Sequence, residues 1–184
     1  KRSAYKGNFD AMSLYTHFLY FSRIYIFDDR DLITLLKNLS EKGHLFSMLA
    51  YGLMLANGEI EPNPIKAAKY LKIVADHGYE LATHEYAFRS FRGDGLPLNK
   101  EEGIKYLKIL ADKGNLKAMV KYALICKKGD GILADDEEAE KYFQMAIEKE
   151  DRDAMLDYFV YTSFENKKSD LSKAIKYCKI LIEK

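Results

Sequence analysis

The stretch KYLKIVADHG at residues 69–78 returns as KYLKILADKG at 105–114, changed at two positions and displaced by 36 residues. Self-similarity at a fixed period marks a repeat architecture and takes precedence over local propensity. Working outward from the Lys-Tyr pairs, Tyr70, Tyr106, Tyr142 and Tyr177 form one column with spacings of 36, 36 and 35. Tyr15, Tyr51, Tyr86, Tyr122 and Tyr158 form a second, so the two columns hold nine of the fourteen tyrosines. A small residue stands four positions before each member of the second column: Ala11, Ser47, Ala82, Ala118 and Ala154. Gly7, Gly43, Gly78 and Gly114 open their units, with Glu150 as the exception. The columns define five units, about 7–42, 43–77, 78–113, 114–149 and 150–184, with residues 1–6 as a linker or the tail of a preceding helix.

Each unit reads as two helices. The first, for example Leu116 to Lys127, is apolar around most of its circumference, as a helix packed on several sides should be. The second, for example Glu137 to Lys149, places Ala139, Tyr142, Phe143, Ala146 and Ile147 at intervals of three and four. Asp28, Asn63, Asn99, Asp135 and Asp170 stand where the second helices begin. Their short side chains accept hydrogen bonds from the unpaired amides of a helix start. Pro64 follows Asn63 at the position where proline fits best. Glu102 and Glu138 lie three residues past their caps and are expected to complete capping boxes. Gly93-Asp94-Gly95 and Gly129-Asp130-Gly131 supply the backbone of a tight turn between the helices.

The unit GNLKAMVKYALICKKGDGILADDEEAEKYFQMAIEKE (114–150) resembles a Sel-1-like repeat, a relative of the tetratricopeptide repeat. It carries the pattern without a gap: Gly114-Asn115, Ala118, Tyr122-Ala123, Gly129 and Gly131, Asp135, Ala139, Tyr142 and Ala146. The resemblance covers residues 7–184 and weakens at the ends. SRIYIFDD (22–29) and ENKKSD (165–170) replace the glycine loop there, and Phe159 enters a column otherwise Thr, Gly or Ala. It implies an all-α fold, a right-handed α-solenoid of about five helix-turn-helix repeats of 35–36 residues.

Bulk composition narrows the function. Among the 184 residues 48% are apolar, which argues against disorder. Twenty-nine basic residues against 28 acidic ones give a formal charge of +1, so there is no global attraction to nucleic acid or an anionic membrane. No apolar run approaches a membrane span. Two cysteines, Cys126 and Cys178, make neither a disulfide framework nor a zinc site and favour a reducing compartment. The expected location is the cytoplasm. The chain begins at Lys1 without Met, and the sequon Asn38-Leu39-Ser40, inside a predicted helix, keeps the secretory route and the endoplasmic-reticulum lumen open.

No constellation carries chemistry. A Gly-Asp-Gly turn lacks the remaining ligands of a metal or phosphate site. Asp28-Asp29-Arg30-Asp31 reads as a helix start favoured by the helix dipole. His17, His44, His77 and His84 show no HExxH pattern and no pairing with cysteine. Both cysteines fall in apolar columns and read as small buried hydrophobes. No nucleophile stands beside a base. The expectation is no enzyme activity, no catalytic residues, no metal and no cofactor.

One face of the first helices is the candidate site. Leu81, Glu85 and Arg92, with Arg89 alongside, occupy it in one unit; Lys117, Lys121 and Lys128 occupy it in the next. Asp153 and Asp157 reverse the sign in the last. The neighbouring His84 and Phe88, Val120 and Leu124 either floor the face or pack against the adjoining unit. Charge alone does not single it out, since the second helices carry Glu101, Lys105, Lys108 and Lys113. The family resemblance does, because it implies that first helices line a concave surface where partner segments lie.

Two functions follow. One is a protein–protein interaction scaffold or adaptor that takes an acidic partner segment, with Arg89, Arg92, Lys117, Lys121 and Lys128 pairing with carboxylates or phosphates and Phe88 as anchor. The other is a structural or regulatory segment of a larger protein, such as a kinase-linked adaptor or an endoplasmic-reticulum quality-control subunit. No nucleic-acid or membrane partner is expected, and end units of altered packing allow end-to-end self-association.

Overall fold

A computed structural model of the chain describes residues 29–149 together with Leu156, Tyr158, Ser172, Ile175 and Lys179. Across 29–149 it contains seven α-helices of thirteen residues each. These are α1 (Asp29–Glu41), α2 (Leu45–Asn57), α3 (Pro64–Asp76), α4 (Glu80–Arg92), α5 (Lys100–Asp112), α6 (Leu116–Lys128) and α7 (Asp136–Glu148). No strand occurs among the described residues. The even-numbered helices are the first helices of the sequence repeat and the odd-numbered ones the second. Two compact units can be distinguished, one ending at Gly103 and the other beginning at Ile104 inside α5.

In the first unit α1 packs on α2, α2 on α3 and α3 on α4. Every residue of α2 from Ser47 to Leu55 is buried, the signature of a helix covered on several sides. By contrast α3 buries one stripe, Ala67, Tyr70, Leu71, Val74 and Ala75, and leaves the opposite face to solvent. A fully buried leucine such as Leu71 contributes about 1.5–3 kcal/mol of transfer free energy. The sequon lies in α1, where Asn38 is exposed while Ser40 is buried and its hydroxyl donates to Leu36 O at 2.7 Å.

In the second unit α6 packs on α7. The residues that α7 buries are Ala139, Tyr142, Phe143, Ala146 and Ile147, the set expected from their spacing. Tyr122 and Tyr142 meet edge to face at 4.9 Å, as do Phe143 and Tyr158 at 5.1 Å. Cys126 is buried as expected, and burial pushes its thiol above the usual cysteine range. Cys178 lies outside the described residues.

The small column is fully buried in both units, at Ser47, Ala82 and Ala118. Close approach explains two glycines as well. A Cβ on Gly103 would stand 2.7 Å from the Phe91 amide, so α4 and the start of α5 touch backbone to side. Gly95 has φ +64° and a Cβ there would fall 2.1 Å from Ala56 O, so both its conformation and its space exclude a side chain. Gly93 and Gly129 close α4 and α6 in the left-handed conformation, as the Gly-Asp-Gly turns suggest.

Three expected caps are in place. Asn63, Asn99 and Asp135 accept from the amides of Lys66, Glu102 and Glu138 at 2.9, 3.1 and 2.9 Å. Asp28 and Asp170 lie outside the described residues. The capping boxes need correction. The Asp135 amide donates to Cys126 O at 2.9 Å and the Asn99 amide to Ser90 O at 2.8 Å, stitching each second helix to the end of the first. Glu102 and Glu138 turn their carboxylates to cations and a tyrosine of the neighbouring helices instead. Two first helices have caps that no cap pattern in the sequence flagged: His44 Nδ1 accepts from the Ser47 amide at 3.3 Å, and Asn115 Oδ1 from the Ala118 amide at 3.0 Å.

Candidate partner-binding faces

Where the cations of this chain are already engaged decides which remain for a partner. In the first unit Lys72 on α3 pairs with Glu102, and the Tyr86 hydroxyl donates to the other Glu102 oxygen. Burial first, then the bond to Glu102, pushes the Tyr86 hydroxyl far above the usual tyrosine range. Lys66 lies 5.5 and 5.6 Å from the ring centres of Tyr51 and Tyr70 and 3.5 Å from Glu41.

In the second unit Lys108 pairs with Glu138 and lies 5.0 and 5.5 Å from the Tyr122 and Tyr142 rings. Burial by itself lowers the Lys108 pKa, but the bonds to Glu138 and Tyr122 outweigh it and hold the ammonium above the usual range. The same bond holds the Glu138 carboxyl below its usual range, against an opposing effect of burial. The Tyr142 hydroxyl donates to Asp112. Half-buried Lys127 pairs with Asp136 at 3.1 Å. These charges hold helices together.

On α4 the sequence-predicted residues fall into two sets. Leu81, His84, Phe88 and Arg92 follow one another at three, four and four residues and form a single stripe. Leu81 and Arg92 are exposed, and the other two half-buried. The His84 imidazole stacks on Phe88 with centroids 4.4 Å apart, and the Arg92 guanidinium lies 6.0 Å from the Phe88 ring. Arg89, in contrast, is fastened within the fold. Its Nε donates to Glu85 at 2.8 Å and a terminal nitrogen donates to Asn57 Oδ1 at 2.6 Å, tying α4 to the end of α2. Glu85 also lies 3.6 Å from His84 Nδ1. Arg92 has no carboxylate within ion-pair distance among the described residues.

On α6 the corresponding positions are Lys117, Val120, Leu124 and Lys128. Lys117 and Lys128 are exposed, Leu124 and Lys121 half-buried, and Val120 buried. Neither Lys117 nor Lys128 has a carboxylate within ion-pair distance among the described residues. Asp153 and Asp157 lie outside the described residues. His84 is the contributor that sequence reasoning left undecided between floor and packing; its stacking on Phe88 places it in the stripe.

The Sel1 repeat family profile matches three consecutive segments, 45–79, 80–115 and 116–151, together more than half of the chain. The chain belongs to the Sel1 repeat family. The matched segments begin at the first residues of α2, α4 and α6, so the family repeat and the structural repeat coincide. The chain is similar to the crystal structure of a Sel1 repeat protein from Oxalobacter formigenes, with a TM-score of 0.73 and 21% identity over 94% of this chain and 72% of that one. It is also similar to a protective antigen of uropathogenic Escherichia coli that displays the SLR fold. That match has a TM-score of 0.74 and 17% identity over 95% of this chain, and spans 38% of the antigen. At such identities the likeness establishes the fold. A search of curated proteins finds no match. Sel1 repeats are generally non-catalytic modules of protein–protein interaction. Among the described residues no helix is long and apolar enough to cross a membrane.

Proposed function

We propose that this Sel1 repeat chain is a non-enzymatic adaptor that binds acidic segments of a partner protein on the exposed faces of its first helices. One observation carries the reading. Arg92 and Lys128 occupy the same repeat position at the ends of α4 and α6, each exposed beside a half-buried apolar residue, Phe88 or Leu124, with no carboxylate opposite among the described residues. Exposed cations flanking apolar surface set the orientation and association rate of an acidic partner, while the apolar residues supply the affinity. Lys117 and half-buried Lys121 extend the basic character of α6. Arg89 serves the face indirectly, by fixing the Glu85 carboxylate beside it.

The test compares affinity capture from the source cell by the parent chain and by an Arg92→Glu, Lys117→Glu, Lys128→Glu variant whose helicity is verified by circular dichroism. The reading expects a protein held by the parent and lost by the variant, and a purified complex that weakens as salt is raised. Partners held equally by both chains at all salt concentrations move the interface elsewhere and overturn it.

A further inference from the structure

The stripe on α4 has a polarity that the face of α6 lacks. At its N-terminal end Leu81 presents an apolar surface 46% exposed; the middle is the His84–Phe88 stack; the far end is the Arg92 guanidinium. Glu85 and Arg89, the two charges flanking the middle, neutralise one another through a 2.8 Å bond. The net character along the helix therefore runs apolar, aromatic, cationic. On α6 the same four positions read Lys117, Val120, Leu124 and Lys128, cationic at both ends with the valine buried.

From this polarity we infer that α4 takes a short extended partner segment with apolar side chains at one end and an Asp or Glu side chain at the other. Leu81 and Arg92 are separated by eleven residues of helix, about 16 Å, which an extended segment of about five residues spans. The apolar end covers Leu81 and the His84–Phe88 stack. The carboxylate meets the exposed Arg92, whose guanidinium lies 6.0 Å from the Phe88 ring. Arg92 determines the sign of that end. It stands at the C-terminus of α4, where the helix dipole is negative and repels an anion. Without the guanidinium the same position favours a cation.

This inference rests on the adaptor reading and is tested separately from it. The probes are fluorescein-labelled, C-terminally amidated peptides Leu-Phe-Ser-Gly-Asp, Leu-Phe-Ser-Gly-Lys and Ser-Ser-Ser-Gly-Asp, titrated with the full chain and followed by anisotropy. The first is expected to bind with a Kd below about 1 mM and at least about tenfold more tightly than the other two. Arg92→Gln should cost the Asp peptide about tenfold, and Arg92→Glu should exchange the preference to the Lys peptide. Lys128→Gln should leave all three unchanged. Equal binding of the Asp and Lys peptides to the parent chain overturns the inference, as does an unchanged preference in Arg92→Glu. No binding by about 1 mM also overturns it. If the captured partner still depends on the cations while the peptides fail, the adaptor reading stands and only the α4 segment falls. Peptide binding with no charge-dependent partner is the opposite outcome.

Discussion

Two tyrosine pairs, one in each compact unit, are built alike and held differently. Tyr51 with Tyr70 and Tyr122 with Tyr142 join a first helix to the second helix of the same repeat, and each pair has a lysine ammonium lying over both rings. In the first pair that lysine is Lys66, one turn before Tyr70 on the same helix. In the second it is Lys108, reaching from the second helix of the preceding repeat. Lys66 occupies the repeat position of Glu138, and Lys108 the position of Lys72. Thus the cation over the rings is kept while its origin changes. Where it comes from the neighbouring repeat it also binds Glu138, and the Tyr142 hydroxyl adds a bond to Asp112. The second pair is therefore a link between repeats, whereas the first is mainly a brace within one.

Substitutions in and around the two pairs break or sharpen that contrast. The largest effect belongs to Tyr142→Ala. The residue is 0% exposed and its loss removes the ring packing, the bond to Asp112 and the bed for Lys108, at a cost of about 3–5 kcal/mol in urea unfolding. Tyr142→Phe isolates the hydroxyl and should cost about 1 kcal/mol. A cost under half of that range for Tyr142→Ala would mean that the second pair is no link at all.

Next comes acid sensitivity. The folded chain holds Glu138 below the carboxyl pKa of the unfolded chain, chiefly through the Lys108 bond. Its stabilisation is therefore full above the unfolded value and is lost as pH falls through the folded one. Comparing unfolding midpoints near about pH 7 and about pH 3, Glu138→Gln should lose less stability on acidification than the parent. An identical drop in both chains would show that the bond contributes nothing. Smallest is Lys66→Met, expected to cost about 0.5 kcal/mol, since a cation–π contact from a half-exposed lysine and a 3.5 Å surface pair are each weak. A loss as large as that of Lys108→Met would erase the distinction between brace and link.

What the sequence made legible was whatever is decided locally. The caps at Asn63, Asn99 and Asp135 are three-residue events, and the burial stripe of α7 follows from helical spacing alone. Glu102 and Glu138 were misread because the partners that draw them, Lys72 and Lys108, lie thirty residues away in sequence. His44 gave no cap signal, as an imidazole only caps when its Nδ1 has a lone pair aimed at the helix start. On the candidate face Arg89 and Arg92 read as equivalents. Only the placement of Glu85 and Asn57 separates the arginine fastened within the fold, Arg89, from the exposed Arg92.

The thirty-residue interval has a kinetic consequence. Lys72 to Glu102, Lys108 to Glu138 and Asp112 to Tyr142 all close loops of the same length. Closure entropy grows only with the logarithm of loop length, and it is the same at these three links. Among the described residues, none of these three links has to gather distant parts of the chain. Topologies of this local kind fold fast, and each formed link shortens the search for the next.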